Sequence, residues 1–380
     1  MSAEVQVYEG AIDKGLEGIV ACTTAVSSII ENTLNFRGYA IEELIENSNF
    51  EEVIYLLWNN KLPNKIEFSK FKSELNHEIK LEPSYIEVLK KIPTKVHPMA
   101  WLRTAVSLLA HWDVEANEIS EDANLHKALK LTAKMSALVC AYEAIRNGKE
   151  PLQPLADKTI AWNFMYMLKD GKEPDAELVK IFDTCLVLHA DHELNCSAFA
   201  TRVTASSLSD LHSAVVSALG ALKGPLHGGA NEQVILMLKK IGNLEKAQQF
   251  VKDALQAKEK VMGIGHRVYK NGDPRAALLR KFSEKLTKKI GEPIWYEMSS
   301  LIDDTMYKEK GLMPNVDFYS ATVYYSMKIP TDLFTPVFAV SRVAGWCAHA
   351  FEQYAHNRIY RPRGKWVGNE NLKWQPLEKR

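Results

Sequence analysis

Two histidines stand on glycine-rich turns, and their surroundings favour different chemistry. In Gly224-Pro225-Leu226-His227-Gly228-Gly229, a histidine precedes a helix that the pattern predicts over residues 231–241. Such a turn leaves backbone amides free and places His227 at the positive end of a helix dipole, which lowers its pKa and favours a neutral imidazole able to donate a hydrogen bond. The competing reading is a turn histidine in a flexible connection. In Val261-Met262-Gly263-Ile264-Gly265-His266-Arg267-Val268-Tyr269-Lys270 the third glycine of a dinucleotide fingerprint is missing, and so is the Gly-Lys-Ser/Thr end of a P-loop. What remains is a glycine loop whose amides can approach a ligand. Arg267, Lys270 and Arg275 follow as a seat for phosphate and carboxylate groups, or equally as a solvated basic helix start.

His189-Ala190-Asp191-His192-Glu193 is dense in metal-ligating types. It is neither His-Glu-x-x-His nor backed by a cysteine pair, so a histidine that hydrogen-bonds a polar substrate is the better reading and no metal is expected. Asp317, in Pro314-Asn315-Val316-Asp317, stands at a helix start, where taken alone it reads as a capping carboxylate. Arg342 interrupts an apolar helix predicted over 335–357, and a lone arginine among apolar neighbours needs an anion. A basic tail with Arg358, Arg361, Arg363 and Lys365 follows.

Most of the elements that must position these groups read with helical period. Leu131, Met135, Leu138, Val139 and Tyr142 form one apolar stripe on a helix ending at Asn147-Gly148. Comparable patterns cover 50–60, 99–112, 176–188, 210–222 and 276–290. Strand signal is confined to residues 19–26 and 34–36, flanking a turn region at 27–32. The fold class expected is mainly α with a small N-terminal β hairpin.

The 380 residues hold 47 basic and 47 acidic side chains, so no global field draws in nucleic acid or an anionic membrane. Five scattered cysteines without a Cys-x-x-Cys pair argue against a disulfide framework or a zinc site and for a reducing compartment. The first ten residues show neither a signal peptide nor a transit peptide, and no apolar run approaches the roughly 20 residues of a membrane span. A cytoplasmic location is the expectation.

Taken together, these segments resemble the citrate synthase family, from Lys14-Gly15-Leu16-Glu17-Gly18 and Arg37-Gly38-Tyr39 to Arg361-Pro362-Arg363. The contexts Gly-Pro-Leu-His-Gly-Gly-Ala, Gly-x-Gly-His-Arg-Val-Tyr-Lys with a downstream Asp-Pro-Arg, and Pro-Asn-x-Asp are all present. The resemblance implies His227, His266 and Asp317 as the catalytic set, and oxaloacetate contacts at His192, His227, His266, Arg275, Arg342 and Arg361. It places coenzyme A on Val261, Met262, Gly263, Ile264 and Gly265 with Arg267 and Lys270. Lys270-Asn271-Gly272-Asp273 is more open than the bulkier version of some relatives.

The resemblance further implies a helical homodimer of the short form, without the NADH control tied to a longer hexameric form. Each chain would have a large domain from residues 1–229 and 323–380 and a small inserted domain at 230–322, with Arg361 contributed in trans. Acetyl-CoA and oxaloacetate would be the partners, with coenzyme A entering as substrate and no separate cofactor. Domain closure on oxaloacetate would assemble the acetyl-CoA site. Two alternatives stand beside this: a 2-methylcitrate synthase using propionyl-CoA, and a non-catalytic scaffold, which loss of Asp317 or either histidine would have signalled.

Overall fold

The computed structural model describes residues 14–16, 18–266, 268, 269 and 272–380. The readings made on the first ten residues, Glu17, Arg267, Lys270 and Asn271 lie outside the described residues. Among the described residues ten α-helices precede the His227 turn: α1 (Ile41–Asn47), α2 (Phe50–Asn59), α3 (Lys65–Glu78), α4 (Pro83–Leu89), α5 (Pro98–Leu109), α6 (Glu121–Arg146), α7 (Ile160–Leu168), α8 (Ala176–His189), α9 (Cys196–Ser206) and α10 (Leu211–Leu222). After it come α11 (Ala230–Ile241), α12 (Leu244–Gln256), α13 (Pro274–Lys289), α14 (Ile294–Lys310) and α15 (Val316–Ser326), then α16 (Phe334–Ala355).

The expected mainly helical class is what the chain forms. The helix starts are fixed by capping side chains: Asn64 and Glu67 form a capping box on α3, Asn195 caps α9, Asp210 caps α10 and Asp273 caps α13.

α6 differs from its sequence pattern. Ala133, Lys134, Ser136, Ala137 and Ala141 are buried along with the apolar stripe, so the helix is enclosed on all sides over residues 131–142. Small residues make this possible, because they let α16, α7, α5 and α3 approach it together. α16 is the second central helix and packs on α6, α9, α10, α2 and α8. Helices α11 to α15 pack among themselves, chiefly α13 and α11 on α15 and α12 on α14.

The strands are shifted from the sequence reading. Residues 19–26 form no strand, while Ser27–Ile30 (β1), placed in the turn by sequence, pairs antiparallel with Thr33–Phe36 (β2), and β2 pairs with Tyr39–Ala40 (β3). The turn contracts to Glu31 and Asn32, both at positive φ, the two-residue geometry that matches strand twist; Arg37 and Gly38 repeat it. Residues 24 and 25 turn aside because the Thr24 hydroxyl and the Ala25 amide both bond Glu352 of α16 at 2.8 Å.

Candidate active site

The turn between α8 and α9 carries the first cluster. His189 Nδ1 donates to the Cys185 carbonyl at 2.7 Å, and burial holds its pKa down at about 3. Asp191 points instead to Ser27 and His349, and His192 Nε2 lies 3.2 Å from the Tyr269 hydroxyl. These three side chains diverge. Among the described residues no group of three or more His, Cys, Asp or Glu side chains is arranged to hold a metal ion.

His227 stands on the turn between α10 and α11. Its Nε2 accepts from the Ser197 amide at 3.2 Å and lies 2.8 Å from the Ser197 hydroxyl, which Trp346 Nε1 holds at 3.0 Å. An Nε2 that accepts an amide proton carries none, so the neutral ring bears its proton on Nδ1. The pKa is lowered to about 4, first by burial and then by Arg342; the helix dipole invoked from sequence is not what the environment offers first. Gly228 permits the turn, since a Cβ there would fall 2.4 Å from Leu222 Cδ1.

The 261–265 loop and the segment before α15 are laced together. The Gly265 amide donates to the Met313 carbonyl at 2.8 Å, the Asn315 amide to the Gly263 carbonyl at 2.9 Å, and the Asn315 side chain to the Gly265 carbonyl at 3.0 Å. Gly263 has φ +75° and no room for a Cβ, which would meet Val234 Cγ2 at 2.7 Å.

This lacing sets Asp317 at the first turn of α15 beside the loop. Asp317 is not the N-cap, a role Asn315 takes by accepting from the Asp317 amide at 3.0 Å. Its buried Oδ1 has no hydrogen-bond partner. Burial, aided by the negative charge of Asp273, raises its carboxyl to about 7 against the pull of Arg275 and Arg342.

His266 packs against His192 and Tyr269 with ring centroids 5.2 and 4.7 Å away. Its Nδ1 accepts from the amides of Val268 at 3.0 Å and Tyr269 at 3.1 Å, which leaves the proton on Nε2. Burial and then Arg275 lower its pKa.

The two buried arginines are held differently. Asp273 grips Arg275 at Nε (2.9 Å) and Nη2 (2.7 Å), whereas among the described residues Arg342 gives only Nε, to the His189 carbonyl at 2.6 Å, with its guanidinium over the Phe338 ring at 4.6 Å. Gly345, one turn further along α16, admits this close docking: a Cβ there would sit 2.4 Å from Asp191 Oδ1 and 2.5 Å from the Ala190 carbonyl. Gly345→Ala is expected to cost about 2 kcal/mol of stability in urea unfolding and to weaken carboxylate binding, because the turn must move off the helix.

The structure therefore brings together His192, His266, Arg275, Arg342 and Asp317, with His227 within the field of Arg342. Arg361 is not among them. It is exposed in a groove lined also by Val20, Cys22, Phe199, Arg202, Glu352 and Tyr360, with no hydrogen bond or ion pair to the other candidates among the described residues. Val261 and Gly263 are buried, and Met262, Ile264 and Gly265 half-buried.

Ser197, Tyr269, Trp346 and His349 escaped the sequence reading. Polar and aromatic residues at Arg342, Trp346 and His349, spaced four and three apart in an apolar helix, were the available signal.

A carboxyl raised to about 7, imidazoles with lowered pKa and defined free protons, and a guanidinium with an open fork form an arrangement that can do acid–base chemistry on anionic carboxylates. Residues 15–363 match the family model described as "Citrate synthase, C-terminal domain". The chain is 52% identical over 368 residues to "Citrate synthase 2" of Bacillus subtilis, covering 97% of this chain and 99% of that one. It is 40% identical to the "Citrate/2-methylcitrate synthase" of the same organism, covering 93% and 96%. It superposes with a TM-score of 0.92, at 31% identity, on the citrate synthase of Thermoplasma acidophilum in its ternary complex with carboxymethyl coenzyme A and oxaloacetate, covering 97% and 100%. The chain belongs to the citrate synthase family.

Proposed function

We propose that this protein condenses acetyl-CoA with oxaloacetate and hydrolyses the citryl-CoA formed to citrate and coenzyme A. The observation that carries the reading is Asp317, a buried carboxyl at about 7 with an unpartnered oxygen. A base for the weakly acidic thioester methyl group needs a raised pKa and an unoccupied lone pair. In this assignment Asp317 takes the methyl proton while His227 donates its Nδ1 proton to the thioester oxygen as the enol forms. His266 offers its Nε2 proton to the ketone oxygen that gains charge during attack, and Arg275, Arg342, Arg361 and His192 hold the carboxylates. The 261–265 loop with Arg267 and Lys270 receives coenzyme A.

The same reading takes residues 230–322 as a small domain closing on a body of 1–229 and 323–380. The mutual packing of α11 to α15 supports this. It includes a homodimer in which Arg361 serves the partner's site, no separate cofactor, and a cytoplasmic setting, with Cys140, Cys185 and Cys347 buried as thiols. No helix among the described residues is long and apolar enough to cross a membrane.

The relative named for both citrate and 2-methylcitrate favours one rival, propionyl-CoA as donor. A methylene alters discrimination by about 1–3 kcal/mol, so the ratio of kcat/KM for the two thioesters decides. Acetyl-CoA is expected to lead by about tenfold or more. A reversed ratio assigns 2-methylcitrate synthesis, and no turnover of either with oxaloacetate overturns the reading.

A further inference from the structure

α16 presents a polar stripe to the turn that carries His192. Arg342 meets the His189 carbonyl, the Gly345 amide meets the Ala190 carbonyl at 3.2 Å, and His349 Nε2 meets Asp191 Oδ2 at 3.2 Å. Asp191 sits at the centre, fully buried. Its Oδ2 accepts from the Ser27 hydroxyl at 2.5 Å, and its Oδ1 has no partner.

His349 is the nearest basic side chain to Asp191, at 3.2 Å. Arg202 Nε donates to His349 Nδ1 at 3.1 Å, which leaves Nε2 as the nitrogen that donates to Asp191. Among the described residues no lysine or arginine touches Asp191, and no carboxylate touches Arg342, which is buried on α16 against the same turn. Neither charge can stay buried without an opposite one nearby. The charged and titratable groups that act on or feel Arg342 are Asp191, Asp317, Arg275, His189, His192 and His227. Only the two aspartates attract it, Asp191 the more strongly.

We propose that Asp191 is a positioning residue of the oxaloacetate site: the through-space counter-charge of Arg342, which leaves the terminal guanidinium nitrogens open and limits how tightly an anion is held there. The inference rests on Arg342 as a carboxylate clamp. An ordinary salt bridge would occupy the fork, as Asp273 does for Arg275. A counter-charge set back behind the turn keeps the guanidinium ionised and still accessible. Because it also repels the arriving carboxylate, it weakens the grip on substrate and on the more highly charged product, and so favours release.

The test is Asp191→Asn, which keeps an oxygen to accept from Ser27 and His349, puts its amide where the unpartnered oxygen lay, and removes the charge. Calorimetric titration of the full-length protein is expected to show oxaloacetate and citrate bound about tenfold more tightly than by wild type. The ligand-free variant should melt at a lower temperature and gain more from oxaloacetate than wild type does. A merely structural role for Asp191 predicts looser binding, and looser or unchanged affinity overturns the proposal. If the variant does not fold unaided, refolding with oxaloacetate present should recover it, since the ligand supplies the missing anion; failure of that rescue also overturns the proposal. Absence of oxaloacetate binding by wild type would instead remove the functional reading beneath it.

Discussion

The Asp317→Ala variant is expected to fold, to bind oxaloacetate, and to lose exchange of the acetyl-CoA methyl protons with solvent, with kcat reduced by about a thousandfold. The geometry behind this is the unpartnered Oδ1 and the absence among the described residues of another carboxyl held so near neutrality beside Arg275 and Arg342. The same carboxyl sets a pH dependence. With its pKa raised to about 7, the base form is lost as pH falls, so wild-type kcat/KM for acetyl-CoA should drop about tenfold for each unit below 7 and level off above it. In Asp317→Ala the residual rate should lack that step. Methyl-proton exchange near the wild-type rate in the variant would assign the base elsewhere.

The second large effect concerns Arg361, which is exposed and joined to none of the groups around Asp317. Arg361→Ala is expected to lower kcat/KM for oxaloacetate by about a hundredfold. Mixing decides whose site it serves. When Asp317→Ala and Arg361→Ala chains are unfolded together and reassembled, an Arg361 acting across a two-fold interface puts both lesions in one site of each mixed dimer and leaves the other intact. Random pairing then returns about a quarter of wild-type activity. An Arg361 acting within its own chain leaves every site with one lesion, and mixing restores nothing.

Much of this site was legible because it is written in short segments. Gly-Pro-Leu-His-Gly-Gly, Gly-Ile-Gly-His and Pro-Asn-Val-Asp each carry the glycine, proline or capping residue that shapes the backbone next to the functional group. Gly228 and Gly263, for example, stand where a Cβ would collide. Arg342 was legible for the opposite reason, as a charge with no business in an apolar helix.

The supporting groups were hidden because their partners are distant in sequence. Ser197 meets Trp346, and Asp191 meets Ser27 and His349, so no local window contains the pair. The strand register failed for a related reason: Ala25 turns aside to reach Glu352, 327 residues away, and the ladder starts only at Ser27. The all-round burial of α6 was likewise invisible, since its alanines read as neutral until neighbouring helices close on them.

The unequal state of the two buried guanidiniums bears on handedness. A ligand with a carboxylate at each end is nearly symmetrical to any receptor that sees only charge. Here one end would meet Arg342 with its fork open, and the other Arg275 with its fork already filled by Asp273. Unlike receptors give such a molecule a direction, and a ketone held in one direction shows the same face to every incoming nucleophile. Under this assignment, the contrast between an engaged and an open arginine makes citryl-CoA a single enantiomer from a flat precursor, and in the achiral citrate that follows it fixes which of the two like arms came from the thioester.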